Sequence, residues 1–212
     1  MNGTVMFLFA GLGNPGQNYA MNRHNVGFMA VDLLADSYDF PAWQKKAASL
    51  QTSGQINRSK IILLKPQSYM NKSGLPVAEV ARFHKIPDNH IFVFHDELDL
   101  AAGRVRVKQG GGHGGHNGLR DIDRHLGQNY WRIRIGIGRP DNPTMDVKSW
   151  VLADFTKNET SGWLPNLLGA ISDEASRLTI HDDSGFMSRV AFLAPPPKPP
   201  SKRNALRISD GI

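Results

Sequence analysis

The chain has 212 residues, 25 Lys and Arg against 19 Asp and Glu, and 40% hydrophobic content, which suffices for one sizeable core and excludes a fibrous or largely disordered chain. No apolar run reaches the roughly 18 residues that a membrane-spanning helix needs; Met1-Asn2-Gly3-Thr4 lacks a basic region and the apolar stretch Val5 to Ala10 is too short for the core of an export signal, so export is not expected. The absence of cysteine excludes disulfides, thiolate nucleophiles and Cys-ligated zinc together, so a cytoplasmic protein is expected.

Val5 to Ala10 is a continuous apolar run bounded by glycine and reads as a buried central strand. Gly11 to Arg23 reads as loop. From His24 onward Val26, Phe28, Met29, Val31, Leu33 and Leu34 recur at helical spacing, which predicts a helix to about Ser37 with Asn22 as a candidate N-cap. Ser49 to Ile56 and Lys60 to Leu64 read as a hairpin turning at Asn57-Arg58. Tyr69 to Lys85 is expected to be helical despite Pro76, Ile91 to His95 a short buried strand, Arg104 to Lys108 an alternating strand, Asn117 to Leu126 a helix, and Trp131 to Ile137 a further strand. Thr156-Lys157-Asn158-Glu159 has capping-box spacing and opens a helical region to about Thr179. Strands interleaved with helices predict an α/β layer fold, which the hairpin makes mixed. Residues 1–194 form the expected domain. The proline-rich, basic stretch 195–212 reads as an extended or disordered tail.

Three constellations carry candidate chemistry. Gly11-Leu12-Gly13-Asn14-Pro15-Gly16 matches the dinucleotide fingerprint after a strand, but Pro15 interrupts it and helical periodicity starts only near Asn22. What remains is a tight loop presenting Asn14 at a strand end. Gly110-Gly111-Gly112-His113-Gly114-Gly115-His116-Asn117-Gly118-Leu119 precedes a helix and suits close approach to an anion; zinc at His113 and His116 is the rival, without a third ligand set by local spacing. His24 near a helix start, and Asp96 leaving a buried strand, have the character of a base and its orienting partner. Ser68 and Ser73 lie outside any nucleophile elbow, which leaves water as the economical nucleophile.

Charge is concentrated. Between residues 104 and 139, eight basic residues (Arg104, Arg106, Lys108, Arg120, Arg124, Arg132, Arg134, Arg139) stand against Asp121 and Asp123, so this segment carries the whole net charge of +6. Gathered on one face, it would suit a polyanion; spread over a solvated sheet, it would signify nothing.

Taken together, Gly11 to Gly16, Tyr19-Ala20-Met21-Asn22-Arg23-His24-Asn25-Val26-Gly27, Lys65-Pro66-Gln67-Ser68-Tyr69-Met70-Asn71-Lys72-Ser73-Gly74, His95-Asp96-Glu97-Leu98-Asp99-Leu100, the glycine loop 110–119 and the segment 131–140 resemble the bacterial peptidyl-tRNA hydrolase family over about residues 5–192. The resemblance implies a monomeric, single-domain, three-layer α/β/α enzyme around a mixed, mostly parallel twisted sheet. The implied reaction is hydrolysis of the ester between a peptide C-terminus and the 3′-terminal ribose of tRNA, recycling tRNA from stalled translation. It implies His24 as catalytic base oriented by Asp96, Asn14, Asn71 and Asn117 as substrate-positioning amides, Met70, His116 and Tyr19 in or near the same cleft, Lys108 and Arg139 on tRNA phosphate, and no metal, cofactor or membrane. Which asparagine serves the oxyanion stays open. Asn22 and Ser68 stand where the family usually has threonine, and Ala101-Ala102 where it often has prolines. A pure RNA-binding module, a metal-dependent hydrolase and a nucleotide-dependent oxidoreductase remain the competing readings.

Overall fold

The computed structural model describes residues 5–140, 142 and 144–198. Its strands are β1 (Met6–Gly11), β2 (Gln44–Lys46), β3 (Ser49–Ile56), β4 (Ser59–Pro66), β5 (Ile91–Glu97), β6 (Val105–Gln109) and β7 (Trp131–Gly136). They form one 7-stranded sheet in the order β2-β3-β4-β1-β5-β7-β6. The central strands β4, β1, β5 and β7 are parallel, and antiparallel pairing is confined to β2, β3 and β6 on the flanks. That division follows from the sequence: β1 and β5 are nearly continuous apolar runs fit for burial on both faces, whereas β6 alternates buried valines with exposed basic residues and lies at an edge.

The helices are α1 (Val26–Ser37), α2 (Gly74–Phe83), α3 (Asn117–Leu126), α4 (Val147–Leu152), α5 (Lys157–Thr160), α6 (Trp163–Asp173) and α7 (Asp183–Leu193). α1, α6 and α7 cover one face of the sheet over Phe7, Phe9, Phe92 and Phe94; α2 and α3 cover the other over Leu8, Ala10, Ile91 and Val93. The result is the expected three-layer α/β/α arrangement. Each such fully buried Phe, Leu, Ile or Val contributes about 1.5–3 kcal/mol relative to exposure, so alternate residues of one strand serve two cores.

Several local expectations are revised. The helix expected from His24 starts at Val26, preceded by a 3₁₀ turn over Arg23–Asn25, and Asn22 does not cap it. The Asn22 Nδ2 instead donates to Asp154 Oδ1 at 2.7 Å, a partner far along the chain that outcompetes the local backbone. The helix expected from Tyr69 begins at Gly74 after a 3₁₀ turn over Met70–Lys72, which leaves Pro76 in the first turn, where a missing N–H costs no hydrogen bond. The capping box at Thr156 and Glu159 is formed, but its helix ends after four residues. Gly162 then leaves helical geometry, with φ −120° and ψ −111°, before α6 resumes. β2, α4 and α7 were not legible: β2 is short and wholly exposed, and the two helices lack a strong apolar period. At the C-terminal end Ala194 is buried and Pro196-Pro197 lie against Gly103. The tail reading beyond Lys198 falls on residues outside the described ones, as does the leader reading over Met1–Thr4.

Candidate active site

The carboxyl ends of the parallel strands open onto a cavity of about 570 Å³, the usual place for a site in such a sheet. β5 delivers Asp96 to it, and the chain leaving β1 delivers Asn14. His24 arrives from the 3₁₀ turn before α1. That helix can press against β1 and β5 because both contact positions are glycines: a side-chain carbon at Gly27 would overlap the Phe94 carbonyl, and one at Gly11 would overlap the Gly27 carbonyl.

His24 Nδ1 lies 2.7 Å from Asp96 Oδ1, and both groups are buried. The same carboxylate oxygen meets His116 Nε2 at 3.0 Å. His116 is the N-cap of α3, its Nδ1 accepting the backbone N–H of Gly118 at 3.1 Å and of Leu119 at 3.3 Å. Burial disfavours the His24 imidazolium, but the charge of Asp96 and its hydrogen bond outweigh that, and the pKa lies above the ordinary histidine value. Burial works against the Asp96 charge too, yet the two histidines hold its pKa below the usual carboxylate range. With Nδ1 committed to Asp96, Nε2 is the atom of His24 left to act as a base.

Asn14 is fixed on both sides. Its backbone N–H donates to Asn25 Oδ1 at 2.9 Å and its carbonyl accepts from Asn25 Nδ2 at 2.9 Å. Its own Oδ1 accepts the Met70 N–H at 2.8 Å, which settles the amide orientation and leaves Nδ2 as a donor without a partner among the described residues. Asn71, Met70 and Asn117 also line the cavity; Asn117 Oδ1 accepts from Arg120 at 3.1 Å, and Asn71 is exposed. Tyr19 does not line it: it is half-buried in the 3₁₀ turn Gln17–Tyr19, outside the cavity wall. Leu98 with Val147, Val151 and Leu152 of α4 adds an apolar part to the lining, beside Lys148.

The basic segment divides by role. Arg132 is buried; it donates to Asp123 Oδ1 at 3.1 Å and to the Gly112 carbonyl, and so ties the glycine loop to the sheet. Arg134 pairs with Glu97 at 3.0 Å. Arg106 and Lys108 project from the edge strand β6, exposed, on the sheet face that also carries Arg134. Arg139 stands at the cavity rim, 2.7 Å from Asp99, with both side chains mostly exposed, an arrangement that contributes little to stability. Lys108 does not line the cavity.

Sequence reasoning missed Asn25, the α4 wall and the part of Arg23. Arg23 is buried beside His24; it donates to the Asp154 carbonyl at 2.6 Å and to Glu159 at 2.7 Å, and it stacks on Trp150. The Arg23-His24-Asn25 run was visible, but its partners lie too far along the chain to be read locally. The dinucleotide reading fails on geometry: the Phe28 ring fills the space at Gly13, and only a single 3₁₀ turn, Gln17–Tyr19, follows the loop, the α-helix starting at Val26. His113 and His116 do not form the zinc pair weighed above, because each Nδ1 is taken by a backbone N–H, that of Gly115 for His113. His24, Asp96 and His116 do place donor atoms within 4.8 Å of one another, but the capped tautomer of His116 puts a proton, not a lone pair, on its inward nitrogen.

A buried His–Asp pair thus lies beside oriented amides at the strand ends of an α/β sheet, residue types and placement that suit general-base chemistry. The model of the family described as peptidyl-tRNA hydrolase matches residues 8–198. A peptidyl-tRNA hydrolase of Rhodospirillum centenum is 52% identical over 193 residues, covering 91% of this chain and 84% of that protein. One of Mesorhizobium japonicum is 51% identical over 88% of this chain and 77% of its own length. The crystal structure of the peptidyl-tRNA hydrolase from Acinetobacter baumannii superimposes with a TM-score of 0.83 at 37% identity, covering 92% of this chain and 100% of that one. The chain belongs to the peptidyl-tRNA hydrolase family and is a hydrolase acting on ester bonds.

Proposed function

We propose that the protein hydrolyses the ester joining the C-terminus of a peptide to the 3′-terminal ribose of tRNA, with His24 as base. The observation that carries this reading is the 2.7 Å contact between His24 Nδ1 and Asp96 Oδ1 in a cavity that leaves Nε2 to the substrate side. His24 Nε2 takes a proton from water as its oxygen attacks the ester carbonyl carbon. The tetrahedral intermediate then collapses, the bond to the ribose 3′ oxygen breaks, and the imidazolium returns the proton to that oxygen. Asp96 holds the ring and offsets its transient charge.

Asn14 Nδ2 is the best-prepared donor for the developing oxyanion, since its orientation is set before substrate arrives. Asn71 and Asn117 bind the peptide backbone, and Met70 with the ring face of His116 packs against it, so recognition does not depend on peptide sequence. Lys108 and Arg139 take tRNA phosphates, with Arg106 and Arg134 continuing the same charged surface; Arg139 exchanges Asp99 for phosphate. The chain acts as a monomer in the cytoplasm, where it returns tRNA from aborted translation to use. Among the described residues no helix is long and apolar enough to cross a membrane.

The test is release of deacylated tRNA from N-blocked aminoacyl-tRNA in EDTA, beside an unblocked control and His24→Ala. Cleavage of only the blocked ester, lost in the variant with tRNA binding retained, is the expected result. Salt-sensitive tRNA binding without cleavage would leave a binding module, and equal loss of binding and turnover in His24→Ala would remove His24 from the role of base.

A further inference from the structure

Asp96 Oδ1 receives two rings at once, His24 at 2.7 Å and His116 at 3.0 Å. A neutral imidazole has one N–H and one lone pair, and the N-terminus of α3 decides where they sit on His116. Two backbone N–H groups, of Gly118 and Leu119, point at Nδ1, so the lone pair is there and the proton is on Nε2, aimed at Asp96. Backbone amides cannot exchange donor for acceptor, and the first turn of α3 therefore acts as a fixed reference. The two rings also touch, with centroids 4.9 Å apart.

Resting on the reading of His24 as base, we propose that His116 is a positioning residue: held in one tautomer by the cap of α3, it draws on the Asp96 charge and so sets the basicity of His24. A carboxylate oxygen that gives part of its charge to a second donor holds the imidazolium of His24 less tightly. Among the described residues, the other titratable and charged groups that line the cavity or adjoin His24 and its partners are Glu97 and His95 on β5, His113 in the glycine loop, Arg139 after β7, Lys148 on α4, and Arg23 with Glu159 and Asp154. Arg23 keeps its own acceptors, and Glu97 is already paired with Arg134. Only His116, of the histidines, shares the Asp96 oxygen with His24.

His116→Asn separates the two duties. Asparagine is among the best N-caps, so α3 keeps its start, but the shorter side chain does not reach Asp96. The expected result is a thermal midpoint close to that of the parent, with the acid limb of the kcat/KM profile moved to higher pH by about half to one unit. The His24 ring titration followed by NMR moves by the same amount without any substrate. In the parent protein, ¹⁵N ring shifts at neutral to alkaline pH report His116 as the Nε2–H tautomer. His116→Ala, which loses cap and donor together, lowers the thermal midpoint as well. An unmoved or downward His24 titration in His116→Asn, or a His116 ring protonated on Nδ1 in the parent, overturns the inference. A parent protein that titrates as expected but cleaves no blocked aminoacyl-tRNA overturns the proposed function and leaves the His116–Asp96–His24 coupling standing.

Discussion

The guanidinium of Arg23 lies 3.8 Å from the centroid of the Trp150 ring, which ties the residue before His24 to the helix that walls the cavity. The stack is one part of a clamp, since the Arg23 Nη1 and Nη2 atoms also serve the carbonyls of Ala153 and Asp154 and the Glu159 carboxylate. Arg23→Met retains bulk but leaves these acceptors without their donor. It is expected to destabilise the fold by about 2 kcal/mol, read as a lower urea midpoint, because a half-buried carboxylate and two carbonyls lose a charged donor. KM for blocked aminoacyl-tRNA rises as α4 loosens. A change below about 1 kcal/mol would show that water replaces the clamp.

Asp96→Asn keeps the shape of the site and removes the anion. The one oxygen that meets both rings is kept as the amide Oδ1, which still accepts from them, so what is lost is the charge that offsets the imidazolium as His24 takes its proton. A fall in kcat on the order of 10²–10⁴-fold is expected, the range of a general-base contribution whose charged partner is gone. Single-turnover assays at saturating substrate check it, and KM changes little.

Acid stability has a particular source. His95 is buried, and that burial, aided by His116, lowers its pKa from 6.5 to about 3. Between those values the unfolded chain binds the extra proton, so stability is complete above about pH 6.5 and falls as pH drops through the window. Asp96, with its depressed pKa, adds to the loss below about pH 4. His24 acts in the opposite sense: its raised pKa gives stability present below the unfolded value and lost as pH rises through the folded one. The thermal midpoint is expected to fall between pH 7 and pH 4, and His95→Asn to flatten that fall. An equally steep fall in the variant would assign the acid sensitivity elsewhere.

Lys108→Ala and Arg106→Ala remove exposed charges from the β6 edge without touching the cavity. Each is expected to weaken tRNA binding about equally for every tRNA and to lower the slope of log K against log salt by about 1 in magnitude. Arg132→Ala behaves differently, because its partners are Asp123 and Gly112: it costs stability and loosens the glycine loop. Filter binding across a salt series, set beside thermal unfolding, separates the two classes.

The sequence by itself determined the α/β class of the fold and its mixed sheet, through continuous apolar runs at β1 and β5, the alternation of β6 and the hairpin of β3 and β4, and it singled out His24, Asp96, Asn14 and the glycine loop. These signals depend on neighbours along the chain, where side-chain period and turn chemistry act. Tertiary structure alone decided which polar groups meet. His24 and Asp96 are 72 positions apart, Asn14 and Met70 56, and Arg23 and Asp154 131. It also divided one run of basic residues into the buried tie of Arg132 and the free edge of Arg106 and Lys108. The physical reason is that a polar side chain takes its role from burial and from the partner that satisfies it, and both are set by segments that meet only when the sheet closes.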